Sequence, residues 1–169
     1  MKSLRSARAA LVFIGMLPGL FALAQTIPIN EVHEKLPQKQ QDSVMAVLQR
    51  YYSDDYYVTP QIPNGKVDSA SGYFRLYLDE QVLGLLDCTA KSCMKYGIIF
   101  GTSGIYVNND EYSDHPGRYF IPYSSLKNMP VTSGGFLEVR IGTTSVNVSG
   151  AGMRKKTVIQ LLNEIKSKI

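Results

Sequence analysis

From Gln81 onward the chain abandons helical spacing and breaks into short β-rich runs, a pattern that leaves few architectures open. The runs cover residues 81–87, 96–101, 104–108, 118–122, 135–141 and 144–148, each bounded by Gly, Asn, Asp or Pro clusters. Leu137, Val139 and Ile141 alternate with Glu138 and Arg140, the pattern of a strand with one wet face. Gly142-Thr143 predicts a tight turn into Ser145-Val146-Asn147-Val148. After the last run, Val158, Leu161, Leu162, Ile165 and Ile169 return at helical spacing and predict an amphipathic helix that faces the sheet. Six short strands closed by one packing helix indicate an α+β fold with a curled antiparallel sheet plugged at one side.

Two helices are expected upstream. Pro37 suits the first position of a helix, because its missing N–H would have no partner there anyway. Val44, Val47, Leu48, Tyr51 and Tyr52 then form one stripe at i, i+3, i+4, i+7 and i+8. A helical turn capped by Asn30 is expected over residues 31–36. Residues 53–66 carry Asp54-Asp55, Pro60, Pro63 and Asn64-Gly65 and read as a connector. Ala70, Tyr73, Leu76 and Tyr77 predict a shorter helix over 68–77.

The N-terminus bears on compartment. Lys2, Arg5 and Arg8 precede an apolar run from Ala9 to Ala24, which ends in Ala22-Leu23-Ala24 before Gln25. A basic segment, a short apolar segment and small residues in that order form a cleavable secretory leader. The run, interrupted by Pro18-Gly19, is short of the roughly 20 residues a spanning helix needs. A periplasmic or secreted chain, cleaved at about residue 24/25, is therefore expected. The leader's three basic residues account for three of the formal +4 charges and leave +1 for the rest. That balance removes the compositional support for a nucleic-acid partner. The organisation expected is a leader over 1–24, a helix and connector over 25–60, and the main domain over 61–169.

A resemblance joins these observations. The apolar strand ending in Asp87-Cys88-Thr89, the strand led by Gly97, the turn into Gly104-Ile105-Tyr106 and the strand Phe120-Ile121-Pro122 follow one another before the hairpin and terminal helix. In this progression residues 61–169 resemble bacterial pleckstrin-homology-like (PH-like) domains. The resemblance implies a PH-like curled antiparallel sheet with a C-terminal packing helix. The helix after Pro37 lies outside it, and the shared residues are turns and core positions that say little about activity.

Cys88 and Cys93 could serve as metal ligands, a redox pair or a staple. Structural zinc wants four ligands in paired spacing, which these cysteines with His33 and His115 do not provide. No C-x-x-C stands beside a βαβ unit. An oxidising compartment favours a Cys88–Cys93 disulfide across a strand-to-strand loop, worth roughly 2 kcal/mol at most. Catalytic patterns are sparse. Ser124 and Lys127 have S-x-x-K spacing without its companion motifs, and His115 stands in a loop-like stretch. Asn108 to Glu111 lack the alternating acids and central glycine of a calcium loop. No metal, cofactor or catalytic set is expected, and the chain reads as a non-enzyme.

Two candidate binding sites remain. Tyr51, Tyr52, Tyr56 and Tyr57 cluster around Asp54 and Asp55 in a chain with 11 tyrosines and no tryptophan. Tyrosine provides stiff amphipathic contact area at protein interfaces. The second candidate is a glycine turn through Gly152 leading to Arg154, Lys155 and Lys156 at the start of the last helix, suited to an anion. The first points to a protein partner, as for immunity or inhibitor proteins among small exported binding domains. The second is the alternative, a module that binds anionic lipid or an envelope polymer.

Overall fold

The computed structural model describes residues 33–91 and 93–169. The expected leader, the cap at Asn30 and the start of the turn over 31–36 lie outside the described residues. Residues 33–36 are not helical, because the Leu36 N–H donates to Thr102 O at 2.9 Å, a bond to the sheet that competes with a local turn.

Helix α1 (Gln38–Leu48) begins directly after Pro37 and turns Val44, Val47 and Leu48 inward. It stops one turn before the tyrosines of its predicted stripe. The Leu48 carbonyl accepts the Tyr51 N–H and the Tyr56 hydroxyl, at 3.2 and 2.9 Å, and the chain turns away. The expected connector holds strand β1 (Tyr56–Val58) and the first residues of helix α2 (Asn64–Phe74). That helix starts at Asn64 and buries Ala70 and Phe74.

Four strands follow: β2 (Val82–Asp87), β3 (Gly97–Gly101), β4 (Gly104–Asn109) and β5 (Gly117–Pro122). With β1 they form an antiparallel meander in the order β1-β2-β3-β4-β5. The Glu80 carboxylate secures the Thr102-Ser103 turn between β3 and β4. It accepts from the Thr102 hydroxyl at 2.8 Å, the Ser103 N–H at 3.1 Å, the Tyr106 hydroxyl at 2.6 Å and the Ser103 hydroxyl.

After helix α3 (Tyr123–Leu126) comes a second antiparallel sheet of β6 (Val131–Ser133), β7 (Glu138–Ile141) and β8 (Thr144–Asn147), then helix α4 (Lys155–Lys166). The Gly142-Thr143 turn is present, with Gly142 at φ +59°. Short β6 and β1 escaped the sequence pattern, since three residues carry no period.

The large sheet is covered on both faces. One core joins it to α1, the small sheet and α4, where Val158, Leu161, Leu162 and Ile165 are fully buried. A second core on the opposite face packs Phe74, Tyr77 and Met94 against Leu85, Ile99 and Tyr106. Burying a large apolar side chain stabilises by about 1.5–3 kcal/mol, so strands apolar on both faces need both covers. The expected sheet plugged at one side is thus an open sheet between two cores. Among the described residues no helix is long and apolar enough to cross a membrane.

Candidate functional site

The segment between α1 and α2 is built around Tyr56. Its ring is 6% exposed in the core and its hydroxyl reaches back to Leu48, so the segment's end is tied to its beginning. Burial pushes the Tyr56 hydroxyl pKa well above the ordinary tyrosine value, so it remains a donor. Tyr57 points to the other face, where the Lys66 ammonium sits 5.2 Å from its ring centroid. Residues 49–54 and 56–61 surround a cleft of about 590 Å³.

Five of the six residues singled out in this segment line that cleft: Tyr51, Tyr52, Asp54, Tyr56 and Tyr57. Their environments differ. Tyr52 is 84% exposed and its hydroxyl reaches Asp54 at 3.4 Å. The Tyr51 hydroxyl is pushed up to about 12, by burial first and then by the neighbouring Glu164 carboxylate. Its oxygen lies buried beside Glu164 without a well-aligned hydrogen bond. The Gln160 amide and the Tyr51 hydroxyl hold the Glu164 carboxyl below the usual range, and Arg50 pairs with it at 2.6 Å. With Arg50 so paired, Asp54 is the exposed carboxylate on the cleft wall. The sequence did not single out as binding residues Gln49, Arg50, Ser53, Val58, Thr59, Pro60 or Gln61, which complete the lining. Their signal is tertiary, because it arises only when β1 joins the sheet.

Asp55 does not line the cleft and turns toward the other candidate site. A Cβ at Gly152, which has φ +57°, would lie 3.2 Å from Asp55 Oδ2. The Ser53 hydroxyl donates to Ala151 O at 3.2 Å, so the glycine turn packs against the tyrosine segment. A carboxylate thus stands where the sequence suggested a bound anion. Lys155 donates to the carbonyls of Gly135 and Phe136 at 3.0 and 3.1 Å, while Arg154 and Lys156 are exposed. Phe136, on the loop that Lys155 holds, is 90% exposed.

The expected Cys88–Cys93 disulfide is not formed; both are free thiols. Hydrogen bonds close this loop instead. Asp87 accepts from the N–H groups of Thr89 and Met94 at 2.9 and 2.8 Å and from Lys66 Nζ at 2.6 Å. The Thr89 hydroxyl accepts from the Lys95 and Tyr96 N–H groups at 3.0 Å each. This arrangement packs Cys88 against the core and leaves Cys93 exposed. Burial, then the charges of Asp87, Asp55 and Asp110, raise the Cys88 thiol pKa.

The remaining polar candidates are dispersed. Asn109 Nδ2 donates to Ser145 O at 2.6 Å and ties β4 to β8. Ser124 and Lys127 line a second cleft of about 390 Å³ that His115 does not reach. Glu138, expected on a wet face, is 6% exposed because the 110–116 loop folds over β7. Its carboxylate accepts from the Ser113 hydroxyl at 2.7 Å and the Asp114 N–H at 2.9 Å. Compared with family models, with curated proteins and with solved structures, the chain matched none.

Proposed function

We propose that the chain is a non-enzymatic recognition domain that binds a protein partner in the tyrosine-walled cleft formed by residues 49–61. The observation that carries this reading is the convergence of Tyr51, Tyr52, Asp54, Tyr56 and Tyr57 on one concave surface. Three of the rings are held before any partner arrives: Tyr56 by the core, Tyr57 against Lys66 and Tyr51 beside Glu164. Rings fixed in advance lose little conformational entropy on binding, and Tyr52 and Asp54 add exposed contact groups. A concrete form is an immunity or inhibitor protein working outside the cytoplasm, where the leader would send it.

The scaffold we propose is PH-like. A five-stranded meander, a three-stranded second sheet and a C-terminal helix packed on β6, β7 and α1 support that assignment. A second reading, binding to anionic lipid or polymer, has one observation in its favour. Phe136 stands exposed on a loop held by Lys155, with Arg154 and Lys156 exposed on the same helix start.

Affinity capture with the full chain as bait, from an extract of the source cells, tests the main reading. It predicts one protein at near-equal stoichiometry, lost when Tyr52→Ala and Asp54→Ala are combined. Both side chains are exposed, so the variant keeps its fold. Tyr56→Ala is unsuitable because it empties part of the core. Recovery of the same protein by the double variant would sink the proposal.

A further inference from the structure

Among the described residues strand β1 is an edge of the large sheet, and the direction of its backbone groups can be read from its neighbours. The Asp87 N–H donates to Asp55 O at 2.8 Å, and the Thr59 N–H donates to Leu83 O at 3.0 Å. Tyr57 lies opposite Leu85 in the same register. In an antiparallel ladder, hydrogen-bonded pairs alternate with non-bonded ones, so residues 55, 57 and 59 bond to β2 while Tyr56 and Val58 aim their N–H and C=O groups outward. Two of those four outward groups are used locally. The Tyr56 N–H donates to Ser53 O at 3.2 Å, and Val58 O accepts the Gln61 N–H at 2.8 Å. The Tyr56 carbonyl and the Val58 N–H have no backbone partner among the described residues.

Those two groups border the recognition cleft. Tyr56, Tyr57 and Val58 all line it, although successive strand side chains point to opposite faces. One cavity touches three consecutive strand residues only if it runs along the strand's edge. The cleft is therefore bounded by an edge that, among the described residues, carries one unused donor and one unused acceptor, with tyrosine rings around it.

We propose that the cleft binds by strand addition: an extended segment of the partner pairs with the Val58 N–H and the Tyr56 carbonyl and sets a basic side chain against Asp54. This rests on the cleft being the recognition site and names the chemistry of its ligand. Main-chain hydrogen bonds to a sheet edge give affinity, while flanking side-chain pockets select sequence. A second copy of this chain is a poor occupant, because residues 49–54 and 59–61 line the cleft beside β1 and would meet their own copies there. A single extended segment fits such a recess. With Arg50 already paired to Glu164, the exposed Asp54 favours a Lys or Arg in that segment. The strand is only three residues long, about 10 Å, which limits unselective pairing.

The probe is a displayed library of random dodecapeptides selected on the full chain. The expected winners carry a basic residue within an extended, apolar-alternating stretch. Val58→Pro removes the outward N–H without touching a ladder bond, as proline is tolerated on an edge. It should weaken the selected peptides by about tenfold, the worth of one well-made hydrogen bond. In amide exchange of the free chain, Val58 should exchange fast beside protected Tyr57 and Thr59, and become protected when peptide binds. Peptides that lose binding to Tyr52→Ala but not to Val58→Pro would overturn strand addition and leave the cleft reading standing. A chain already protected at Val58 and dimeric in sedimentation would overturn the choice of occupant. A library yielding no winner overturns the proposal without touching the protein-capture result.

Discussion

Glu138 shows what a single residue can hide. Its place in the alternation Leu137 to Ile141 reads as solvent-facing, yet the 110–116 loop covers it and supplies the Ser113 and Asp114 hydrogen bonds. Nothing in a local pattern reports a contact made 24 or 25 residues away. The consequence is a pH dependence. Burial alone would raise the carboxyl, but the hydrogen bonds from the Ser113 hydroxyl and the Asp114 N–H outweigh it and hold the pKa below its ordinary value of 4.5. A depressed folded-state pKa means the unfolded chain binds the proton more readily. Glu138 therefore stabilises the fold above pH 4.5, and that contribution is lost as pH falls through the folded value. Glu138→Gln should flatten this part of the acid limb in urea unfolding followed against pH. An acid limb identical to that of the unaltered chain would contradict the assignment.

At the scale of elements, strongly periodic segments were legible and short ones were not. Helix α4 is where its apolar stripe places it, and the turn at Gly142 joins β7 to β8. The end of α1 was misplaced because the apolar period runs on to Tyr52 while a tertiary bond from Tyr56 halts the helix. Strand β1 was hidden among prolines and aspartates that signal a connector, and with it went Val58 as a lining residue of the cleft. The loop after β2 was read as a staple because two cysteines in a chain expected to be exported point that way. Asp87 and Thr89, both noted as family-like positions, hold it by hydrogen bonds instead. One of the two thiols, Cys93, should then react with a thiol reagent in the native chain, and Cys88 only after unfolding. Native chain with no reactive thiol would restore the disulfide.

At the scale of the molecule, the two cores explain why the centre of the sequence reads so apolar. Residues of β3 are buried on both sides, and α2 and α4 each cover one face. Under the proposed function, that interior leaves recognition to the margins: the β1 edge with its tyrosines on one, and the Phe136 loop on another. Both candidate sites were visible as residue types in the sequence. Only the fold tells that Asp55 and Gly152 meet, that Tyr56 belongs to the core, and that the cleft borders strand β1. The direct test places a photo-cross-linking residue at position 52 in one variant and at position 136 in another, with both expressed in the source cells. The account predicts a single cross-linked protein from position 52 and none from position 136. Lipid or polymer adducts from position 136, with position 52 silent, would contradict it.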